Sequence, residues 1–403
     1  MLMKCGHAVR PSGILVALLF LPRAAWAGEA DPVVEAKAKE WEAIPVGYFN
    51  DSINHARMRY KRRKPPYDCY ELKQIVHIAE NVLAWQNADG GWPKNIDWLR
   101  AFSEKELRRL PNGKRNGKRS SLDNRCTWAQ IDYLARVRRQ TSLDRYANAA
   151  RKGIRYLLKT QRSSGGWRGA DVDAITFNDG VMTGVLSVLK SIVDGTKQYD
   201  FVDDELRKKV GAAYERGLAC ILKCQIKVGD RLTAWCQQHS HRTFKPVWAR
   251  SFEPPSIVTA ESVGVVRFLM SIDDPPPKVI RSIQAAVAWF DRVKIAGLRI
   301  KRVKGKAVHS GIRWYDDDNI EVRDPDAPPI WTRFYDLKTE KPIFCTRARK
   351  VTDKYTDLSR ERRTGYSWYG YYPAKLLAEE YPAWRKERGI ERNVLRRKQA
   401  DDG

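Results

Sequence analysis

No apolar run in this 403-residue chain is long enough to cross a bilayer. The longest, GILVALLFLP from Gly13 to Pro22, falls far short of the roughly 20 residues a spanning helix needs. Zinc-type spacing is missing too. Cys220 and Cys224 stand four apart with no CxxC pair and no spaced histidines beside them, which argues against a structural zinc site. His239 and His241, in QQHSH, are too close to be two ligands on one helical face and read as ordinary polar residues. Acid is scarce: 48 Asp and Glu face 74 Lys and Arg, a formal charge of +26. Such a field draws polyanions, whether nucleic acid, anionic membrane or acidic polysaccharide, and it also serves plain solubility. Charge alone does not choose among these. The absence of any recognised nucleic-acid-binding motif counts against the first.

The short apolar run is best placed in a secretory signal. Lys4 and Arg10 form a basic start, Gly13–Pro22 the apolar segment, and Ala25-Trp26-Ala27 a small-residue cleavage site before Gly28. Residues 1–27 are therefore expected to be removed, leaving 28–403 as one domain with its core at about 70–385. The mature chain would lose Lys4, Arg10 and Arg23 and stay strongly basic. It is expected in the periplasm or outside the cell, off the membrane, as a monomer. Cys5 leaves with the signal. The six cysteines that remain permit disulfides, but sequence does not give their pairing.

Helical periodicity dominates the rest. Ile75, Ile78, Val82 and Trp85 fall at steps of three and four, as do Ile131, Leu134 and Val137. So do Tyr146, Ala150, Ile154 and Leu157; Val181, Val185, Val188 and Ile192; and Ile280, Ile283, Val287 and Phe290. Each set makes one apolar helical face, so the fold class is all-α, with minor β in its loops. Residues 104–120 and 296–336 read as long connections, and the charged tail after Arg385 is expected to fray. A weak repeat punctuates the helices: QNADGGW at 86–92, QRSSGGW at 161–167, and a fainter copy from Gln225 with Gly229 and Trp235. A helical hairpin per unit predicts a toroid or barrel of (α/α) hairpins. The glycines allow a sharp turn after each helix, and each Trp can pack back or line a groove.

Several ordered segments carry a resemblance. They are WQNADGGWPKN at 85–95, SLDNRCTWAQIDYLARV at 121–137, QRSSGGW at 161–167 and TFNDGVM at 176–182. WARSFEPPSIVTAES at 248–262, WTRFYDL at 331–337, PIFCTR at 342–347 and ERRTGYSWYG at 361–370 follow. Together, over roughly residues 70–375, they resemble the family 10 polysaccharide lyases, the pectic acid lyases built on a toroid of helix pairs. The resemblance implies a secreted pectate lyase that cleaves polygalacturonate (de-esterified pectin) by calcium-assisted β-elimination. Such an enzyme removes the proton on carbon 5 of the sugar, beside its carboxylate, and breaks the bond at carbon 4. Cations on the carboxylate stabilise the charge that develops, and a base must reach the proton.

Calcium takes several oxygen ligands. Asp123, Asn124, Asn178 and Asp179 offer them, and the resemblance places Asp123 and Asp179 at the metal. Spacing alone favours Asp123-Asn124 as a cap for the following helix; the resemblance reverses that preference. Arg125 and Gly180 depart from the family pattern, which usually has a small residue and often a second acid there; both departures weaken the expected calcium affinity. Arg250 aligns with the family's catalytic base, although free Arg titrates at about 12.5–13.8 and neighbouring cations would have to disfavour its charge. An Arg that only pairs with a substrate carboxylate is the alternative. Arg333, Arg347 and Arg363 resemble substrate-contacting positions, where a planar guanidinium grips a carboxylate with two bonds. Ordinary salt bridges, such as Arg333 to Asp336 or Arg363 to Glu361, are the competing account. Ala348 stands where the family usually has Asp after Arg347. Trp92, Lys94 and Asn95 on the first repeat loop could bind a sugar and its acid group; Trp92, like Tyr366, Trp368 and Tyr369, could equally be core.

Two other functions compete. QxxxGGW also resembles the repeated motif of terpenoid cyclases, but their DxDD acid cluster has only DVDA at 171–174 as a counterpart. A non-catalytic binder of acidic polysaccharide would keep the arginines without needing Asp123, Asp179 and Arg250 together.

Overall fold

The computed structural model describes residues 41–60, 64–109, 119–310 and 313–395. Residues 1–27 and Cys5 lie outside them. Three antiparallel helix pairs form the body: α3 (Trp128–Thr141) with α4 (Asp144–Thr160), α5 (Val181–Val193) with α6 (Asp204–Cys224), and α7 (Thr259–Met270) with α8 (Pro277–Arg292). Before them come α1 (Asn50–Arg57) and α2 (Ile75–Ala84), the latter packed on α3. Helices α3, α5 and α7 pack side by side as an inner layer, and α4 packs on α6 outside it. This is the all-α toroid of helix pairs that the periodicity predicts. All the periodic positions that lie within a helix are buried except Ile280, which packs partly buried against the core.

The repeat explains how the pairs are joined. Gln86 Nε2 donates to the carbonyls of Gly90 in its own turn and Ala149 in α4, both at 2.9 Å. Gln161 bonds Gly165 O (3.0 Å) and Ala213 O in α6 (2.8 Å) in the same way. Gln225 bonds Thr233 O and Ser282 O in α8, each at 2.9 Å, so the faint third copy is a true one. Each amide thus ties its own turn to the outer helix of the next pair. The tryptophans cap what precedes them. Trp92, Trp167 and Trp235 donate from Nε1 to the carbonyls of Val82, Leu157 and Ile221, each among the last four carbonyls of a helix, which lack intrahelical partners. Trp331 repeats the arrangement on Phe290, without a glutamine. The turn needs glycine: at Gly90 (φ +93) and Gly165 (φ +89) a Cβ would stand 2.4 and 2.2 Å from the carbonyl oxygens of Lys152 and Arg216.

Two expectations need correction. The long connection at 296–336 is largely a two-stranded antiparallel ribbon, Leu298–Ser310 with Arg313–Arg323. Its basic strand faces an acidic one, with Lys304 opposite Asp317 and ion-paired to it at 2.6 Å. The tail past Arg385 does not fray at once: Arg385 Nη1 donates to Ile390 O and Glu391 O, and Val394 and Leu395 pack on the core. None of the six described cysteines forms a disulfide. A four-stranded sheet, in which Phe334–Tyr335 lies between Ile257–Val258 and Pro342–Cys345, carries the loops beside α7.

Candidate functional site

Two turns deliver side chains to the ends of the inner helices. Asp123–Arg125 precedes α3, and Asn178–Gly180 precedes α5. Both use left-handed backbone, at Asn124 (φ 50), Arg125 (φ 60), Asp179 (φ 53) and Gly180 (φ 68), which Asn, Asp and Gly tolerate best. The turns touch each other. Asp123 and Asn124 are buried, and no side chain caps α3, so the capping alternative for this pair falls. Asp179 hydrogen-bonds Asp123; burial first, and then the charge of Asp123, pushes its carboxyl up to about 8. Asn178 Nδ2 donates to Asp179 Oδ2 at 3.0 Å, and Asn124 Nδ2 to Asn95 Oδ1 at 2.6 Å. The Lys94 ammonium bonds Asp123 Oδ2. Asp123, Asn124, Asn178, Asp179, Lys94 and Asn95 therefore meet in one place.

Glu261, in the first turn of α7, is a member that the sequence reading missed. Its Oε1 accepts from Arg333 and from Gln237 Nε2, the latter at 3.0 Å, while its Oε2 is buried with no partner among the described residues. Its signal in the sequence is the acid of TAES at 259–262, at the end of WARSFEPPSIVTAES. A cavity of about 670 Å³ opens here, lined among others by Asp51, Arg125, Asn178, Asp179, Glu261 and Arg333. Among the described residues no group of three or more His, Cys, Asp or Glu side chains is arranged to hold a metal.

Arg333 links this acidic end to a basic one. Its guanidinium lies 4.9 Å from the Tyr366 ring, and Tyr366 donates to Glu253 Oε1 at 2.9 Å. Glu253 in turn holds Arg250 at both ends of a fork, Nε to Oε2 at 2.9 Å and Nη2 to Oε1 at 2.6 Å. Burial works to lower the Arg250 pKa, but the bonds and charge of Glu253 outweigh it and raise it. Phe252 gathers three guanidiniums around its ring: Arg362 at 4.5 Å, Arg250 at 5.0 Å and Arg347 at 5.3 Å. Arg347 and Arg362 share the buried Glu361, which they hold down to about 2 against the upward push of burial.

Other sequence-predicted positions fare differently. Trp92 is fully buried as a helix cap and has no free face for a sugar. Trp368 is buried as well, with its Nε1 donating to Arg362 O. Arg363 stands apart from the Phe252 cluster. It forks onto Asp318 of the ribbon at 2.8 and 2.5 Å and lines a separate cavity of about 290 Å³. Its neighbour Arg362 is the one that joins the cluster, a one-residue offset that helical geometry produces and a motif alone does not show. The salt-bridge alternatives existed, but with other partners: Arg333 pairs with Glu261 and Arg363 with Asp318. His239 is a buried structural residue, accepting from Cys236 N at 2.9 Å and bonded to Phe244 O.

Residues 86–377 match the family model for pectic acid lyase. Among solved structures, a family 10 polysaccharide lyase from Cellvibrio cellulosa shares 28% identity with a TM-score of 0.65, covering 86% of this chain and 98% of that one. An aspartate-to-alanine mutant of a family 10 polysaccharide lyase from the same organism, in complex with trigalacturonic acid, shares 27% identity with a TM-score of 0.65, covering 87% and 100%. No curated protein gives a significant match.

Proposed function

The chain belongs to the pectic acid lyase family and is a polysaccharide lyase, and from that premise we propose that it cleaves polygalacturonate by calcium-assisted β-elimination. The observation that carries the reading is the junction of an oxygen-rich acidic cluster with a basic one through Arg333. Similarity to a lyase bound to trigalacturonic acid supports an acidic polysaccharide as substrate.

The residues present suit calcium. The donors are hard oxygens, two carboxylates that share a hydrogen bond and the amide oxygens beside them, and Glu261, whose Oε2 is buried with no partner among the described residues, lines the same cavity without completing a three-acid group. Asp123 and Asp179 would hold the ion, with Asn124 and Asn178 beside them. When bound, calcium neutralises a substrate carboxylate and stabilises the charge that builds there as the carbon 5 proton leaves. Arg333, Arg347 and Arg362 orient the neighbouring carboxylates. Arg250 takes the proton from carbon 5; the electron pair of that bond forms the double bond to carbon 4, and the carbon 4–oxygen bond breaks, its pair leaving on the oxygen of the departing sugar, which takes a proton from water. Paired with Glu253, Arg250 is charged. It becomes a base when substrate draws it off Glu253 and leaves it among Arg333, Arg347 and Arg362, whose charges favour a neutral guanidine, its proton passing to water.

The same reading makes the chain an exported protein with residues 1–27 as its signal, which amino-terminal sequencing of the mature form checks. The activity test is ultraviolet absorbance of the conjugated product during incubation with polygalacturonate, with calcium or a chelator, for wild type and Arg250→Ala. Calcium-dependent absorbance that the variant lacks supports the proposal. A folded wild type that binds polygalacturonate without any absorbance sinks it.

A further inference from the structure

The family match begins at residue 86, yet α1 (Asn50–Arg57) is bonded to the loop that carries Lys94 and Asn95 and to the Asp123–Arg125 turn. Ser52 Oγ donates to Ile96 O at 3.0 Å and accepts from Ile96 N at 2.9 Å, directly after Lys94 and Asn95. One turn on, Arg57 forks onto the buried Asp97 at 2.5 and 3.2 Å. Tyr48, just before the helix, packs edge-on against Trp128, the first residue of α3, with ring centres 5.1 Å apart. Asp51 lies between these anchors and forms an ion pair with Arg125 at 3.0 Å. Asp51, Arg125 and Asp179 all line the one cavity.

Arg125 is the cation that this chain places directly after Asp123-Asn124. Unmasked, it would repel a divalent ion held by those residues. We propose that Asp51 is a charge-masking, positioning residue of the cation site: anchored by α1, its carboxylate neutralises Arg125, so that an arriving divalent cation meets an acidic field. The inference rests on the calcium reading above and concerns a residue that acts through Arg125 and need not touch the ion. Both side chains are about 40% exposed, so solvent moderates the effect. An unmasked unit charge near a divalent ion, screened in this way, weakens binding about five- to tenfold.

The test is calorimetric titration of calcium into the full chain as wild type, Asp51→Asn, Arg125→Gln and the double variant, with thermal melts of each. Asp51→Asn is expected to weaken calcium binding about five- to tenfold. Adding Arg125→Gln in that background restores it to within about twofold of wild type, a rescue that a purely structural role of Asp51 does not produce. Arg125→Gln alone binds calcium at least as tightly as wild type, and it gives the reading even if Asp51→Asn folds poorly. Wild-type affinity in Asp51→Asn, failure of the second substitution to restore binding, or weaker binding in Arg125→Gln alone each overturns the inference while leaving the calcium reading intact. A wild type that takes up no calcium overturns both.

Discussion

Replacing Trp92 by Phe separates a structural tryptophan from a sugar platform. The indole is fully buried, and its Nε1 donates to Val82 O at 2.7 Å, one of the last four carbonyls of α2. Phe keeps an aromatic ring but leaves that buried carbonyl without its donor, a loss of about 1–3 kcal/mol. It also removes part of the ring that fills the space beside Gly153, where an added Cβ would meet Trp92 Cζ3 at 2.9 Å. The two losses together come to about 2–4 kcal/mol, and full truncation to Ala to about 3–5 kcal/mol. In a domain of this size, roughly 2 °C per kcal/mol, Trp92→Phe lowers the melting temperature by about 4–8 °C. Differential scanning calorimetry at fixed calcium measures this, and steady-state kinetics on polygalacturonate measures KM alongside. KM is expected to stay within about twofold, because no face of the ring reaches the cavity. An unchanged melt with KM raised about tenfold, equivalent to about 1.4 kcal/mol of lost sugar contact, would refute the argument.

Lys94→Ala removes the ammonium that bonds Asp123 Oδ2, so calcium should bind several-fold tighter by calorimetry, while KM for polygalacturonate rises; weaker calcium binding would show that Lys94 supports the ion. Glu361 is held down to about 2, below its usual 4.5, chiefly by Arg362 and Arg347 against burial. Its contribution to stability is therefore present above about pH 4.5 and lost as pH falls through about 2. Glu361→Gln should melt lower than wild type near neutrality, and the gap should close on acidification; a gap that is constant with pH contradicts this. Glu80 has the opposite sign: burial pushes it up to about 7, against the pull of Tyr146 and Arg145. The stability it contributes is complete below about pH 4.5 and lost as pH rises through about 7. The melt of wild type should thus fall relative to Glu80→Gln between about pH 5 and pH 8, and parallel curves would refute it.

Periodicity made the helices legible because each inner or outer helix buries one face, which steps of three and four record. The repeat was legible for the same reason that it is structural: a glutamine, a glycine pair and a tryptophan are each required by a different bond. What the repeat could not say was which way Trp92 points, since core and platform use the same residue. The ribbon was missed because its two strands are rich in charge, with pairs such as Lys304 and Asp317 across them, and so carry little of the apolar alternation that marks a strand. At the site, the Asp123 and Asp179 turns were found through their neighbours in the sequence. Glu261 was missed because an acid that serves an arginine 72 residues away leaves no spacing signature; Glu253 pairs with Arg250 only three residues before it, a spacing the sequence did offer. Arg363 and Arg362 part company because the short helix Arg360–Gly365 turns adjacent residues to different sides, Arg362 to Phe252 and Arg363 to the ribbon, which no motif shows.

Those hidden acids bear on how a strongly basic protein meets a polyanion. None of the cluster arginines stands bare: Arg250 has Glu253, Arg333 has Glu261, and Arg347 and Arg362 share Glu361. A bare buried guanidinium would be costly to keep in the free protein. Pairing offsets that cost, and it means that a carboxylated substrate must compete with the protein's own carboxylates. Where one Glu serves two cations, as Glu361 does, one of them can turn to substrate without leaving the acid unpaired, and Arg347, the more exposed partner at 56%, is the one placed to do so. Where the pairing is one to one, as at Arg250 and Glu253, substrate that takes the arginine leaves a buried carboxylate behind, held only by Tyr366 and the Arg250 backbone. Under the proposed mechanism the two arrangements would divide the labour: Arg347 would bind a sugar acid at little cost, whereas Arg250 would turn away from Glu253 only when substrate contacts elsewhere in the site offset the loss. That coupling would keep Arg250 charged and inert until a chain of several acidic sugars is in place.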